Sequence, residues 1–506
     1  MRHAFRFAAL LGLLIVLVGS LFAASLITPG GALAALQATI PPTNTPRATI
    51  PPTNTPRVAA TDPATVVPTQ PAILPTPTLY YPDVVTNSEQ ATAIPTAMPR
   101  LRAVDDNGNA YNVLNVLLLG HDGDIVPTDP NFHTDTMIVV SVNRDTNTVS
   151  MLSLPRDLFV YIPNFGMGRL NQAYAYGESI GWTDGGWGML AQTILYNFGI
   201  DVHYYAMIDF EAFEQIIDTV GGVTVAVDCP IQDQWCTGAA CADGVAGNET
   251  NEDYELRTLD VGVYDMDADL ALWYSRSRAN TLDFDRGRRQ QQILRAIWAR
   301  GKDLGMIAEL PSLWDQMTSV VQTNFPLSEA LTLAPLALTI QPNDIENHFF
   351  RKGAETVAWQ PASGPYAGAY VQLPGPNGGM NLLLEDFISP PTSNRLRLEN
   401  PGIQIYNGTA NENWDLVAQD RLIWEGFAPQ AMGHRDGDYP QTVIIDHTGS
   451  SKGSSLNDLV RLLNVAPNNI QMEPDPNRTV DFEIILGSDY NSCVDRQWVA
   501  PKDTGS

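Results

Sequence analysis

Positive charge is scarce in this chain. Its 29 Lys and Arg stand against 56 Asp and Glu, for a net charge of −27 and an isoelectric point near 4.4. Affinity for a nucleic-acid duplex comes largely from phosphate neutralisation by Lys and Arg, so nucleic acid is excluded as a partner unless a basic patch exists. The same repulsion faces any anionic substrate, and the question becomes where the basic residues sit. Histidine is sparse as well: the 7 are scattered without metal-ligand spacing, and His121 and His133, which flank an early loop, read as surface residues. No P-loop is present. Gly177–Gly181 and Gly449–Gly453 fit the G-x-S-x-G pattern of serine hydrolases. Neither has a His partner placed by sequence, and short glycine-rich matches arise by chance.

Cysteine is limited to Cys229, Cys236, Cys241 and Cys493. The first three fall within thirteen residues of turn-rich sequence. In an oxidising compartment a bridge among them is expected, with Cys493 open to the third; the pairing itself is not legible. A zinc site is the sharper alternative, but no His lies nearby.

One long uncharged apolar run, from Phe7 to about Ile27, comes after Arg2 and Arg6. At about 20 residues it is long enough to cross a bilayer as a helix, and the positive residues before it favour export of the chain beyond it. Ala23, Ala24 and Ser25 keep a cleaved signal peptide open as the rival; both readings export the remainder. Segment 1–30 is therefore expected to be a signal anchor. The decapeptide ATIPPTNTPR at 38–47 repeats letter for letter at 48–57, and Pro, Thr and Ala continue to about Arg100. Such sequence cannot bury enough apolar surface to fold, so 31–108 reads as a disordered, semi-rigid spacer. The expected topology is single-pass at the cell membrane, with the folded domains outside the cytoplasm.

Folded sequence begins near Tyr111. Val113 to Leu119, Met137 to Val142 and Val149 to Leu154 are strand-like runs, the last two joined as a hairpin by the turn-rich Asn143 to Asn147. Helical patterns cover Met189 to Phe198, Phe210 to Val220 and about Asp285 to Lys302, with Val223 to Val227 as another strand. This mixture predicts an α/β or α+β layered domain. After Pro401 a second unit reads as a small β-α-β-α-β domain: strands at Gly402–Tyr406, Thr442–Ile445 and Val480–Leu486, helices at Leu416–Trp424 and Leu456–Leu463.

The acidic balance breaks in one place. SRSRANTLDFDRGRRQ holds Arg276, Arg278, Arg286, Arg288 and Arg289 within fourteen residues. Arg286, Arg289 and Gln290 share one face of the predicted helix, and Arg276 and Arg278 alternate on what reads as an extended stretch, so their side chains point the same way. Converging guanidinium groups suit a pyrophosphate, because each planar fork binds oxygens bidentately. The bland alternative is an ion-pair network with Asp283 and Asp285, or Asp283 as a helix cap. Hairpin geometry adds to the cluster. Asp135 opens one strand and Arg156-Asp157 come just after the next, so the two carboxylates can meet, and paired carboxylates near a pyrophosphate make a natural Mg2+ site. Each Asp alone reads as a strand-end cap. Arg169 stands just before a short helix.

These motifs, in this order, resemble the LytR-CpsA-Psr family. The resemblance runs through NVLLLGHDG, TDTMIVVSVN, SLPRDLFVYIP, GRLNQAYAYG, DTVGGVTV and ALWYSRSRANTLDFDRGRRQQQIL, over about residues 109–305. It implies an α-β-α layered catalytic domain over 109–390. The second unit, 400–492, is similar to the C-terminal domain often attached to such proteins, through GIQIYNGTA, QTVIID and VDFEIILGSDY. The family implies an extracytoplasmic phosphotransferase that moves a glycopolymer from a polyprenyl pyrophosphate carrier to peptidoglycan or another wall acceptor. By position, Asp135 and Asp157 would hold Mg2+, with Arg156 beside them in the catalytic set. Arg156, Arg169, Arg276, Arg278, Arg286, Arg289 and Gln290 would grip the pyrophosphate, and the lipid tail would occupy an apolar cavity. Two features depart from the pattern: the cysteine-bearing insertion from Cys229 to Glu255, and Arg169 at a lysine-or-arginine position. The competing expectations are a non-catalytic wall-binding or adhesion module on a stalk, and a transcriptional regulator, which the export signal and the acidic charge oppose.

Overall fold

The computed structural model describes residues 93–493 apart from 122–126, 130–131, 238–252, 280–282, 312–313, 315–317, 365, 391–398 and 450–452. The expected signal anchor and most of the spacer lie outside the described residues, as does Cys241. Among the described residues, no helix is long and apolar enough to cross a membrane.

The domain begins earlier than its strand pattern suggests. The Met98 N–H donates to the Tyr196 carbonyl at 2.9 Å, Leu101 N–H to that of Gly199 at 2.8 Å, and the Tyr196 hydroxyl to the Pro95 carbonyl at 2.8 Å. Met98 and Ala103 are buried. The last part of the expected spacer is thus pinned by a few apolar side chains in otherwise Pro-rich sequence, too few to register as a periodic pattern.

Strands β1 (Val113–Gly120), β2 (Thr136–Asn143) and β3 (Thr148–Ser153) form an antiparallel meander. The β2–β3 turn places Asn147 at φ 55°, a left-handed conformation that Asn tolerates, and the Asn143 side chain accepts from the N–H groups of Asp145 and Thr146. Next come a short hairpin, β4 (Phe159–Ile162) with β5 (Gly166–Arg169), and helices α1 (Ala173–Ser179) and α2 (Gly185–Phe198). Strand β6 (Tyr204–Ile208) lies parallel to β1. Helix α3 (Phe210–Thr219) starts where the Asp209 carboxylate accepts from the Ala212 N–H. Strands β7 (Val223–Val227) and β10 (Gly262–Met266) pair with each other and enclose the hairpin β8 (Ile231–Cys236) and β9 (Tyr254–Leu259). The described chain continues through α4 (Ala268–Arg276), α5 (Asp283–Asp303), β11 (Gln322–Thr323), α6 (Leu327–Thr339) and β12 (Ile345–Phe349). The paired strands β13 (Thr356–Trp359) and β14 (Val371–Pro374) and helix α7 (Gly379–Ile388) close the domain.

The main sheet has six strands in the order β11-β6-β1-β2-β3-β12. Successive side chains on a strand point to opposite faces, and both faces are covered. Leu117, Leu119, Val139 and Leu152 pack against Met189, Ile194 and Phe198 of α2. Val116, Ile138, Val140 and Met151 pack against Trp298 of α5 and Leu333 and Leu336 of α6. The α-β-α layering arises from these two half-cores, and the unbroken apolar runs of β1–β3 from burial on both sides.

The C-terminal unit contains β15 (Ile403–Asn407), α8 (Trp414–Trp424), β16 (Gln430–His434), β17 (Val443–Asp446), α9 (Gly453–Leu463), β18 (Ile470–Met472) and β19 (Phe482–Leu486). Its sheet runs β16-β15-β19-β17-β18. The sequence pattern predicts three strands here and the structure has five. The two additions are edge strands, and neither carries an apolar run.

Candidate active site

The β2–β3 register puts Ile138 opposite Ser153, and the Leu154 N–H donates to the Met137 carbonyl at 2.8 Å. The residues before β2 and after β3 therefore meet at one edge of the sheet. Arg156 joins them: Nη1 donates to Asp135 Oδ1 at 2.9 Å and Nε to Asp157 Oδ2 at 3.3 Å. Arg169, at the end of β5, donates from Nη1 to the other Asp157 oxygen at 3.4 Å. The Asp135 side chain is 34% exposed and that of Asp157 only 10%.

Helix α5 supplies the opposite wall. Arg286 Nη2 donates to the Asp135 carbonyl at 3.1 Å, and Gln290 Nε2 to Thr136 Oγ1 at 2.9 Å. Between the walls is a small open cleft. Asp135, Arg156, Arg286 and Gln290 line its polar side, and Met137, Leu154, Phe349 and Phe350 its apolar side. A guanidinium-rich cleft with one apolar flank suits a ligand that is anionic at one end and greasy at the other.

Other expected site residues are placed differently. Arg276 is the last residue of α4 and not part of an extended stretch. Leu270, Ala271 and Tyr274 are buried at helical spacing, and the Asp267 carboxylate caps the start by accepting from the Leu270 N–H, so LALWYS forms a helix although it is short and apolar enough to read as a strand. The Arg276 guanidinium lies 4.1 Å over the Phe210 ring. Arg278 comes just after the break at Ser277, and its backbone N–H donates to Asp233 Oδ2 at 2.6 Å. Arg289 is buried; burial lowers its pKa. Its Nε donates to the Tyr274 carbonyl at 2.9 Å and its Nη2 to the Ser277 carbonyl. It thus fastens the end of α4 to α5. The cleft walls include none of Arg169, Arg276, Arg278 and Arg289. One ion pair on this helix has a partner from a distant part of the chain: Arg288 meets Asp228 through both Nη atoms, at 2.9 and 2.8 Å; the side chain of Asp283 lies outside the described residues.

Sequence reasoning passed over two supporting residues. Gln291, fully buried, donates from Nε2 to Ser153 Oγ at 2.8 Å and to the His348 carbonyl at 3.1 Å, which ties α5 to β3 and β12. Gly287 packs on Ser153 so closely that an added Cβ would lie 3.0 Å from the Ser153 Cβ. A glycine inside a helix is unfavourable by about 1 kcal/mol, and this was the signal available for it.

The cysteines form one described bridge, Cys229–Cys493, across 264 residues. Cys236 is also disulfide-bonded. Among the described residues no group of three or more His, Cys, Asp or Glu could hold a metal. Two carboxylates remain compatible with Mg2+, which is commonly bound by one or two protein carboxylates together with water and substrate phosphate.

A model of the LytR_cpsA_psr family matches residues 83–362. The polyisoprenyl-teichoic acid–peptidoglycan teichoic acid transferase TagU of Oceanobacillus iheyensis is 32% identical over 248 residues, 47% of this chain and 68% of that protein. The corresponding transferase TagT of Bacillus subtilis is 28% identical over 250 residues, 48% of this chain and 69% of that protein. Among solved structures, the crystal structure of B. subtilis TagT is matched with 24% identity over 58% of this chain and 96% of that one, at a TM-score of 0.39.

Proposed function

The chain belongs to the LytR-CpsA-Psr family, and from that premise we propose that it is a phosphotransferase moving a glycopolymer from a polyprenyl pyrophosphate carrier to a wall acceptor outside the cell. The cleft carries this reading: Asp135, Arg156, Arg286 and Gln290 converge on one polar wall beside an apolar flank. Relatives at up to 32% identity are named as transferases that join polyisoprenyl-linked teichoic acid to peptidoglycan.

In the proposed reaction an acceptor hydroxyl attacks the phosphorus that bears the glycan. A new phosphodiester P–O bond forms, the pyrophosphate P–O bond breaks, polyprenyl monophosphate leaves, and the hydroxyl proton passes to a base. No protein nucleophile is needed. Arg156 and Arg286 hold the pyrophosphate and neutralise charge that grows on it, which is catalysis by positioning and electrostatics. Gln290, fixed on Thr136, orients a phosphoryl oxygen. Asp135, the more open carboxylate, takes the proton. The prenyl chain leaves over Met137, Leu154, Phe349 and Phe350. A Mg2+ ion held by Asp135 and Asp157 would add charge neutralisation at the phosphoryl oxygens, competing with Arg156 for those carboxylates. Arg276 and Arg278, exposed beyond the cleft, are assigned to the glycan-bearing end. Export through segment 1–30 and anchoring at the membrane remain part of the proposal; the Cys229–Cys493 bridge supports an oxidising compartment.

The test is incubation of the purified protein with a polyprenyl pyrophosphate-linked sugar, a soluble glycan-strand acceptor and Mg2+. Transfer, or slow release of polyprenyl phosphate without acceptor, is expected, and Asp135→Ala and Arg286→Ala should each lower it by about 100-fold or more. A wild-type protein that neither binds nor cleaves the donor would return the reading to a stalk-borne wall-binding module.

A further inference from the structure

The transfer reaction leaves the C-terminal unit without a task, yet its helix α8 packs against the helix that supplies Arg286 and Gln290. We infer that this unit holds α5 in register with the cleft through a clamp of Asp228, Arg288, Arg295, Asp420 and Trp424, making Asp420 and Trp424 positioning residues for the transfer. The inference rests on the transferase reading.

Helix geometry divides α5 into opposed faces. Arg286 and Gln290, four residues apart, share the cleft face. Residue 288 comes about 200° later at 3.6 residues per turn, and Gln292 and Arg295 fall on its side. That second face meets α8. The Arg288 guanidinium lies 4.7 Å from the centre of the Trp424 ring and that of Arg295 4.8 Å from the same ring, so one indole is shared by two cations. Trp424 Nε1 donates to Asp420 Oδ2 at 3.1 Å, and Gln292 Nε2 reaches the same oxygen at 3.3 Å. Arg288 Nη1 donates to Asp228 Oδ1 at 2.9 Å and Nη2 lies 2.8 Å from Oδ2 in the same ion pair, with side-chain exposures of 4% and 7%. The Asp228 carbonyl accepts from Ser492 Oγ at 2.5 Å, next to the Cys229–Cys493 bridge. The unit thus reaches the back of α5 directly through Asp420 and Trp424 of α8, and indirectly through its C-terminal segment, which holds Asp228, the partner of Arg288.

Two buried arginines face two aspartates. A buried charge set of this kind is weak evidence for stability, because desolvation offsets much of the attraction; fixing one register is its best-attested use. What it fixes here is the turn that bears Arg286 and Gln290. A shift of about 1 Å at reacting groups can lower a rate by about 100-fold.

The test compares wild type with Trp424→Ala, Trp424→Phe and a control, Ile484→Val, in the core of the C-terminal unit away from α5. Melting temperature is measured together with kcat and KM for a polyprenyl pyrophosphate-linked sugar. Expected is a fall in kcat of about tenfold or more for Trp424→Ala with KM for the donor changed less than about threefold, recovery of most of kcat in Trp424→Phe, and a lowered melting temperature but wild-type kcat in Ile484→Val. Wild-type kcat in Trp424→Ala overturns the clamp. So does a loss of kcat in Ile484→Val that tracks its melting temperature, since coupling would then be general destabilisation. A wild-type protein with no turnover of this donor overturns the transferase reading itself, and the inference with it.

Discussion

Arginines that look equivalent in the sequence have different partners in the fold. Arg286 reaches the cleft, Arg288 an aspartate, and Arg289 two carbonyls. One guanidinium carries five donors in a fixed fork, so neighbouring residues on a helix can serve three neighbours at once. The same accounting applies to His348, whose next residue lines the cleft. It is buried, with Nδ1 3.5 Å from Asp386 on α7 and Nε2 3.5 Å from Glu346 on β12. Burial pulls the His348 pKa down, but Asp386 and Glu346 together leave it above its ordinary value of 6.5. Hydrogen bonding to His348 holds Asp386 below its ordinary 3.8. The raised histidine stabilises the fold fully below about pH 6.5 and loses that contribution as pH rises through its folded value. The lowered aspartate contributes above about pH 3.8 and loses it as pH falls through its folded value. Melting temperature should therefore decline as pH rises past 6.5 in the wild type and lack that step in His348→Gln. The Asp386 side chain is 76% exposed, so solvent screening limits the effect to about 1 kcal/mol or less. Parallel pH profiles for the two proteins would remove His348 as the source.

At the scale of elements, α5 explains both what the sequence revealed and what it hid. Its cleft face was legible because Arg286 and Gln290 stand four apart and the hairpin brings Asp135 and Arg156 together by simple register. Its other faces were not legible. The sequence places Arg288 in the arginine cluster and gives Gln291 and Gln292 no role, and only the placement of Asp228, Ser153 and Asp420 from distant parts of the chain supplies their partners. For α4, a six-residue apolar run reads equally as strand or helix, and the Asp267 cap decided for helix. A layered α/β or α+β domain was legible in the mixture of apolar strands and helical patterns, while its α-β-α arrangement came from the family resemblance; the edge strands β16 and β18, held by backbone pairing to neighbours, were not legible. Gly287 offers a test of how closely α5 must approach β3. In Gly287→Ala the new Cβ meets Ser153 at 3.0 to 3.1 Å, so one element must give by a few tenths of an ångström. Helix propensity gains about 1 kcal/mol from the change, which offsets part of the crowding. Stability should stay within about 1 kcal/mol of wild type while donor turnover falls severalfold, because the wall from Ser153 to Arg156 moves. Denaturant titration beside turnover decides it; unchanged turnover would mean that the cleft tolerates the displacement.

At the scale of the whole molecule, an acidic chain of net charge −27 turns several of its arginines inward: Arg286, Arg288, Arg289 and Arg295 are all buried. Their fields act where water is excluded and interactions are strongest, and the acidic surface does not cancel them. The same interior is closed covalently, since Cys229 adjoins Asp228 of the clamp and Cys493 adjoins Ser492. A bridge across 264 residues restricts the unfolded chain over most of its folded length, and native disulfides of this kind contribute about 2–4 kcal/mol. The double variant Cys229→Ser, Cys493→Ser should lose about that much in denaturant unfolding under oxidising conditions, and hydrogen exchange should rise first in α8 and in the turn of α5 around Arg288. That order matters more than the total, for it separates a tether that limits only the unfolded chain from one that keeps the C-terminal unit seated on α5. Loss of stability with unchanged native-state exchange at these two helices would assign the bridge to the unfolded state alone. Faster exchange there, with a matching fall in turnover, would make the covalent link part of the same device that holds Arg286 and Gln290 at the cleft.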